Sequence, residues 1–446
     1  MKALILNGSN ENDTTGERVK TALMAELQAD GWEAEHVLLR EQKIGNCEGD
    51  FFCWIRTPGI CNIDDDNRAI AKSIVNSDLV VYLTPVTFGG YSAHLKRIVD
   101  HQIQNVLPFF SQVNSETHHQ KRYKRYADFL AVGWLEKPDA QAEGVFRHLA
   151  GRNAVNYFAK TAVTGLVLAN QTDGELQASA RRWLNDLHNG KSSEPGELSL
   201  AGIRSTTLRT GTSQDETPLR RALLLVGSPR TKKSTSSSLG GYLLERLGAH
   251  NIQTETIFIH TSLNSPERMN ALFEAVEAAD LLVLAFPLYV DSLPAPLIET
   301  LERIAARRAC QEQTQPQQLA AIVNCGFPEV HHNATAIAIC ATFAQQAGFG
   351  WAGSLALGAG EGIVHGAPLG ELDGRAFPIK KALDLTADAL LVGQPIPRAA
   401  ADLMARPIIP NWLYRLSGVF GWWQQARGFG AEKFLKRRPY LIGKNG

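Results

Sequence analysis

The 446-residue chain has little that would tie it to an oxidising compartment, a membrane or a polyanion. Six cysteines are too few for a disulfide framework, so a reducing cytoplasm is the expected location. Equal numbers of basic and acidic residues, 45 of each, leave no net charge. No global field therefore recruits nucleic acid or an anionic membrane. The apolar run at Met1 to Leu6 is too short for a signal-peptide core or a membrane span, and no stable membrane insertion is expected.

What the chain does contain is one pattern written twice. Ala3-Leu4-Ile5-Leu6-Asn7-Gly8-Ser9 is answered by Ala222-Leu223-Leu224-Leu225-Val226-Gly227-Ser228. Asp78-Leu79-Val80-Val81-Tyr82-Leu83-Thr84-Pro85 is answered by Asp280-Leu281-Leu282-Val283-Leu284-Ala285-Phe286-Pro287. The copies lie 219 positions apart at Gly8 and Gly227 but 202 apart at Pro85 and Pro287, so the first carries 17 extra residues. That interval holds Cys47, Cys53 and Cys61.

Short apolar runs alternate with longer amphipathic stretches, which predicts parallel strands covered by helices on both faces. In copy one strands are expected at 2–7, 33–38, 78–84, 127–132 and 161–169, with helices at 14–30, 66–76, 93–106, 143–157 and 174–188. In copy two strands are expected near 221–226, 252–257, 280–285, 319–324 and 351–357. The expected fold class is α/β, with two tandem doubly wound five-stranded parallel sheets. The domains would span 1–188 and 220–397, joined by a flexible Ser/Thr/Gly/Glu-rich linker at 189–219 and followed by an extension at 398–446. The ligand site of such a sheet lies beyond the C-terminal ends of its strands.

Copy two has the better phosphate loop: Gly227-Ser228-Pro229-Arg230, then Thr231-Lys232-Lys233-Ser234-Thr235-Ser236-Ser237-Ser238 entering a helix. Backbone N–H groups at a helix N-terminus, hydroxyls and positive charge suit a phosphate monoester. A Ser-rich N-cap on an ordinary helix is the alternative. Copy one keeps Ser9, Asn10, Thr14 and Thr15, but Glu11 and Asp13 would repel a dianion. The loops after the third strands, Pro85-Val86-Thr87-Phe88-Gly89-Gly90 and Pro287-Leu288-Tyr289-Val290-Asp291-Ser292, offer apolar contact and close backbone approach to a flat ring. Asp291 is placed where copy one has Gly90.

Together these segments resemble the NADPH-dependent FMN reductase family of flavodoxin-like flavoproteins. The resemblance implies FMN, with its phosphate at Ser228, Arg230, Ser234, Thr235, Ser236 and Ser237. It places the isoalloxazine against Pro287, Leu288, Tyr289, Val290 and Asp291, closed by Asn324, Cys325 and Gly326. In copy one the equivalents are Ser9, Asn10, Thr14, Thr15, Pro85, Val86, Thr87, Phe88, Gly89 and the Gly133-Trp134 loop. It also implies NAD(P)H as co-substrate, chemistry carried by the flavin with no assigned catalytic side chain, and a small-molecule electron acceptor that the sequence does not identify. Two copies in one chain would serve as a pseudo-dimeric monomer.

The segment Cys47 to Cys61 is similar to the cysteine loop of iron–sulfur flavoproteins in that family, with Asp50 where a second cysteine is expected. Three thiolates and a carboxylate are a poor set for a four-iron cluster, and the loop lacks a Cys-x-x-Cys pair for zinc. No metal is expected. The run His118 to Tyr126 reads either as an NADPH-phosphate contact or as a solvated connection. The tail from Arg398 carries nine basic residues against Asp402 and Glu432, with many aromatics. A peripheral membrane contact is one reading. Pro407, Pro410, Gly418, Gly421, Gly428 and Gly430 would interrupt a long amphipathic helix, so a strap burying Trp412, Trp422 and Trp423 is expected instead. The alternatives to an FMN-dependent oxidoreductase are a flavin electron carrier, an iron–sulfur flavoprotein, and a non-catalytic scaffold with degenerate flavin sites.

Overall fold

The computed structural model describes residues 1–196, 198, 219–310 and 315–442. The expected linker therefore lies largely outside the described residues. Its first part runs along a strand edge, where Ser193 N donates to Ala162 O (2.8 Å). Two compact units are present, one joining Met1–Leu198 to Trp412–Gly446 and the other covering Ser199–Asn411.

The first unit contains β1 (Lys2–Asn7), β2 (Glu33–Leu38), β3 (Leu79–Pro85), β4 (Val106–Val113), β5 (Glu116–Lys121), β6 (Asp128–Leu135) and β7 (Ala162–Leu168). Its main sheet is parallel with the order β2-β1-β3-β6-β7. The second unit contains β8 (Arg221–Val226), β9 (Gln253–Phe258), β10 (Leu281–Pro287), β11 (Gln318–Asn324) and β12 (Gly350–Leu357), in the order β12-β11-β10-β8-β9. Read from its second strand, each sheet has the flavodoxin order 2-1-3-4-5. The central strands are apolar throughout because both of their faces are buried. In the first unit Val19, Leu23 and Leu27 of the helix Thr14–Ala29 and Leu176, Trp183 and Leu187 of the helix Asp173–His188 share a core with Ala3, Ile5, Val81 and Val132. In the second, Leu239, Leu243 and Leu247 join Leu224, Val283 and Ile322.

Two regions depart from the pattern read in the sequence. The helix expected over 93–106 ends at Asp100, continues as a 3-10 turn to Asn105, and leads into the antiparallel hairpin β4–β5. The Trp54 indole N–H donates to the Ile103 and Val106 carbonyls (2.8 and 3.1 Å), supplying partners that a helix would otherwise have provided. Nor is 118–126 wholly a solvated connection, although Lys121, Lys124 and Arg125 are exposed. His118 lies on β5 and is buried, as are Arg122 and Tyr123. The Arg122 guanidinium donates to the carbonyls of Val106, Leu435 and Arg437.

The tail is helical over Asn411–Gly428, an 18-residue helix that contains Gly418 and Gly421. A Cβ on Gly418 would lie 2.3 Å from the Phe110 ring, so this glycine permits close approach and does not break the helix. Trp422 packs edge-on against Phe51 and Trp54, and Ala426, Ala431 and Leu435 are buried with Cys53, Trp54 and Val106. Of the three tryptophans expected to be buried, only Trp422 packs inward, while Trp412 is 60 % and Trp423 40 % exposed. The preceding helix Arg398–Met404 belongs to the second unit, burying Ala400 and Met404 in its core.

Candidate functional site

In the second unit β8 ends at Val226 and the chain turns through Gly227–Lys233 into the helix Thr235–Gly248. Gly227 N donates to Ala285 O (2.9 Å), which pins this loop to β10. Ser234 is the helix N-cap: its Oγ donates to Thr231 O (2.7 Å) and accepts from Ser237 N (3.1 Å). That hydroxyl thus serves the loop itself. Ser236 Oγ donates to Asn324 Oδ1 (2.8 Å), while Asn324 O accepts from Leu288 N (2.8 Å). The phosphate-loop helix, the end of β11 and the ring loop consequently meet at Asn324. Ser228 is buried and Ser237 half-buried. Cys325 is buried, its thiol pushed up to about 12 by desolvation, and its Sγ donates to Phe327 O (3.3 Å), so it packs as a neutral thiol. Gly326 is exposed beside it.

No sequence motif marks the residue that completes this site. Glu361, in the loop after β12, accepts hydrogen bonds from Arg230 Nη1 (2.5 Å) and Thr235 Oγ1 (3.3 Å). An anion of the chain itself is therefore gripped by the guanidinium and hydroxyl at the helix N-terminus, where a phosphate is expected. Such a donor set suits a phosphate oxygen as well as a carboxylate.

The first unit closes the same place differently. Ser9 Oγ donates to Asn7 Oδ1 (2.5 Å), and Asp13 caps the helix Thr14–Ala29 through Gly16 N (2.9 Å). The other Asp13 oxygen accepts from Trp134 Nε1 (3.0 Å). A Cβ on Gly16 would sit 2.1 Å from Ser9 Oγ and 2.9 Å from the Trp134 ring. Trp134 pairs with Pro85 as Asn324 pairs with Pro287, so an indole occupies the register position of the second unit's hub. Thr15 is buried, whereas Asn10 and Thr14 are exposed. Arg40, from the turn after β2, donates to Ser9 O and Asn10 O (3.3 Å each), bringing a basic group the loop sequence does not contain. With a carboxylate in the first turn and an indole over it, this arrangement does not fit a phosphate dianion.

The two ring loops are the same turn. Thr87 and Gly90 exchange backbone hydrogen bonds (3.0 and 2.7 Å), as do Tyr289 and Ser292 (2.9 and 3.1 Å). Phe88 and Gly89 (φ 52° and 84°) correspond to Val290 and Asp291 (φ 46° and 58°). Asp291 therefore matches Gly89, not Gly90, as the 202-residue offset at the prolines also requires, and Gly90 is matched by Ser292. Pro85, Val86 and Thr87 are half-buried, as are Pro287, Leu288, Tyr289 and Val290.

Cys47, Asp50, Cys53, Cys61 and His101 line one small cavity of the first unit. Burial pushes Cys61 up to about 11 and Cys47 and Cys53 further, so the thiols are protonated. His101 Nε2 donates to Gly45 O (2.8 Å), and its Nδ1 lies 3.5 Å from the Cys61 Sγ. Asp50 Oδ1 accepts from Phe52 N (3.0 Å), a capping role. Three thiols and a carboxylate that caps Phe52 do not supply the four thiolates of a four-iron cluster.

The sequence profile of the NADPH-dependent FMN reductase family matches residues 1–122 and 220–344, more than half of the chain and parts of both copies. The chain belongs to this family. Membership makes it a flavodoxin-like flavoprotein of the FMN reductase family. Its FMN reductase fold occurs twice, once per matched segment. The chain is 35% identical over 102 residues to an iron-sulfur flavoprotein of Methanocaldococcus jannaschii (22% of this chain, 51% of that protein). It is 28% identical over 103 residues to an iron-sulfur flavoprotein of Archaeoglobus fulgidus (23% and 46%). It thus spans about half the length of the curated relatives it matches. Among solved structures it is similar to an FMN-dependent NADH-azoreductase from Bacillus anthracis in complex with FMN, at 13% identity and a TM-score of 0.30, over 39% of this chain and 100% of that one. Among the described residues no helix is long and apolar enough to cross a membrane.

Proposed function

We propose that this FMN reductase-family chain is an NAD(P)H-dependent oxidoreductase holding one FMN, in the second unit. Arg230, Thr235, Ser228 and the first-turn N–H groups of the helix Thr235–Gly248 would hold the phosphate. The loop Pro287–Asp291, with Asn324, Cys325 and Gly326, would carry the ring. Bound FMN supplies hydride acceptance from the nicotinamide and passage of electrons to a small-molecule acceptor. The chain's own residues bind, orient and shield it. The observation that carries this reading is Glu361, a carboxylate held by Arg230 and Thr235 where the phosphate belongs. In the first unit the corresponding helix N-terminus is occupied by Asp13, which caps it and accepts from the Trp134 indole.

Arg230→Ala with Thr235→Ala removes two charge-assisted contacts of about 1.5–3 kcal/mol each. The double variant is expected to lose FMN by native mass spectrometry, where the parent shows one FMN per chain. Full retention in the variant, or two FMN in the parent, would refute the assignment. Steady-state NAD(P)H oxidation by the yellow parent protein distinguishes an oxidoreductase from an electron carrier, which holds flavin without turning nicotinamide over. For the cysteine loop we infer no four-iron cluster, since Asp50, a cap, stands where a fourth thiolate would be needed. Iron and acid-labile sulfide in stoichiometric amounts in anaerobically purified protein would overturn that inference.

A further inference from the structure

The helix Asn411–Gly428 presents two apolar faces. Tyr414, Gly418, Trp422 and Ala426, at four-residue spacing, turn inward onto Phe110, Phe51 and Trp54. The opposite side carries Trp412, Leu413, Leu416, Val419, Phe420 and Trp423, each 37–64 % exposed. At 3.6 residues per turn these six fall within roughly a third of the circumference, one continuous stripe. An exposed stripe of this size, rich in tryptophan, marks a surface that something covers.

Charge selects the occupant. From Asn411 to Ile442 the chain has Arg415, Arg427, Lys433, Lys436, Arg437 and Arg438 against Glu432 alone, although the whole chain is balanced. Arg427 and the four residues Lys433, Lys436, Arg437 and Arg438 are exposed, and the Arg427 guanidinium lies 5.5 Å over the Trp423 ring. A second copy on this stripe would set like charges against each other. A lipid surface with anionic headgroups offers apolar depth for the stripe and counter-charge for Arg427 beside it and for the basic residues that follow in the chain.

We propose that this helix is a peripheral docking surface for an anionic bilayer, lying in the headgroup plane with Trp412, Leu416, Phe420 and Trp423 inserted. It does not span the membrane. The test is co-sedimentation of the full-length, FMN-loaded protein with vesicles of phosphatidylcholine alone or mixed with phosphatidylserine. Binding to the mixed vesicles, reversed by high salt, is expected. Trp412→Ser, Leu416→Ser and Phe420→Ser together are expected to weaken it by about tenfold or more. Circular dichroism and melting temperature should be unchanged, because these side chains are each 60–64 % exposed. A second variant, Lys433→Glu with Lys436→Glu, leaves the stripe intact and is expected to abolish the preference for phosphatidylserine. The proposal is overturned by absence of binding to the mixed vesicles, by equal binding to neutral ones, or by undiminished binding of either variant. It is equally overturned by a parent protein that dimerises in solution through the stripe and ignores vesicles.

Discussion

Val290 is β-branched and half-buried, yet it holds φ 46° at the centre of the ring loop. Left-handed backbone at such a residue is strained by roughly 1–3 kcal/mol, and two-residue turns of this kind prefer asparagine and glycine. Val290→Asn is therefore expected to raise unfolding free energy by about 1 kcal/mol in a urea titration; an unchanged or lower midpoint would show that the surroundings, not the turn, carry the strain. Glu361 is the second residue whose removal should improve something. Glu361→Gln takes away the internal anion, and FMN affinity is expected to rise about tenfold, equivalent to about 1.4 kcal/mol. Weaker binding would instead make the carboxylate part of the cofactor site. The two residues differ in how far the sequence betrayed them. The ring and phosphate loops are contiguous, so a local pattern reveals them, and the 202-residue offset at the prolines already aligns Asp291 with Gly89. Glu361 and Arg40 reach their loops from 131 and 31 residues away, and no local pattern records that approach.

At the level of elements, the ten strands of the two main sheets were legible because burial on both faces demands unbroken apolar runs. The β4–β5 hairpin was not, because Ser111, Gln112, Thr117, His118 and Gln120 give it no such run. The tail helix was hidden for a different reason. Its glycines read as breakers, while Gly418 is needed for the approach to Phe110. The cysteine loop and this tail complete each other: Phe51, Cys53 and Trp54 share one cluster with Trp422, Ala426, Ala431 and Leu435. Truncation after Pro410 should uncover that cluster while sparing Ala400 and Met404 in the second core. A lower melting temperature for the first unit, with faster exchange at backbone amides of residues 51–56, is the expected result. A truncated protein that melts like the parent would mean the cluster adds nothing. Cutting after Ala399, as the composition shift alone suggests, confounds the two cores.

On the scale of the whole molecule, one fold has been kept twice with different endings. Both helices that follow the first strands have an acidic side chain of the chain at their N-termini, Asp13 as a cap and Glu361 as a guest from a distant loop. Displacing a guest leaves the helix capped by Ser234, whereas displacing Asp13 removes the cap itself. The tail has a consequence for the birth of the protein. Residues 51–54 find their partners at 422–435, and the entire second unit is synthesised between them. In order of synthesis the second unit is an insertion into the first. The sheet of the first unit can assemble while translation continues, but Trp54 keeps an open, aromatic flank until the last residues of the described chain emerge. The second unit is therefore synthesised while the first is unfinished, and the tail can close only after residues 422–435 have followed it.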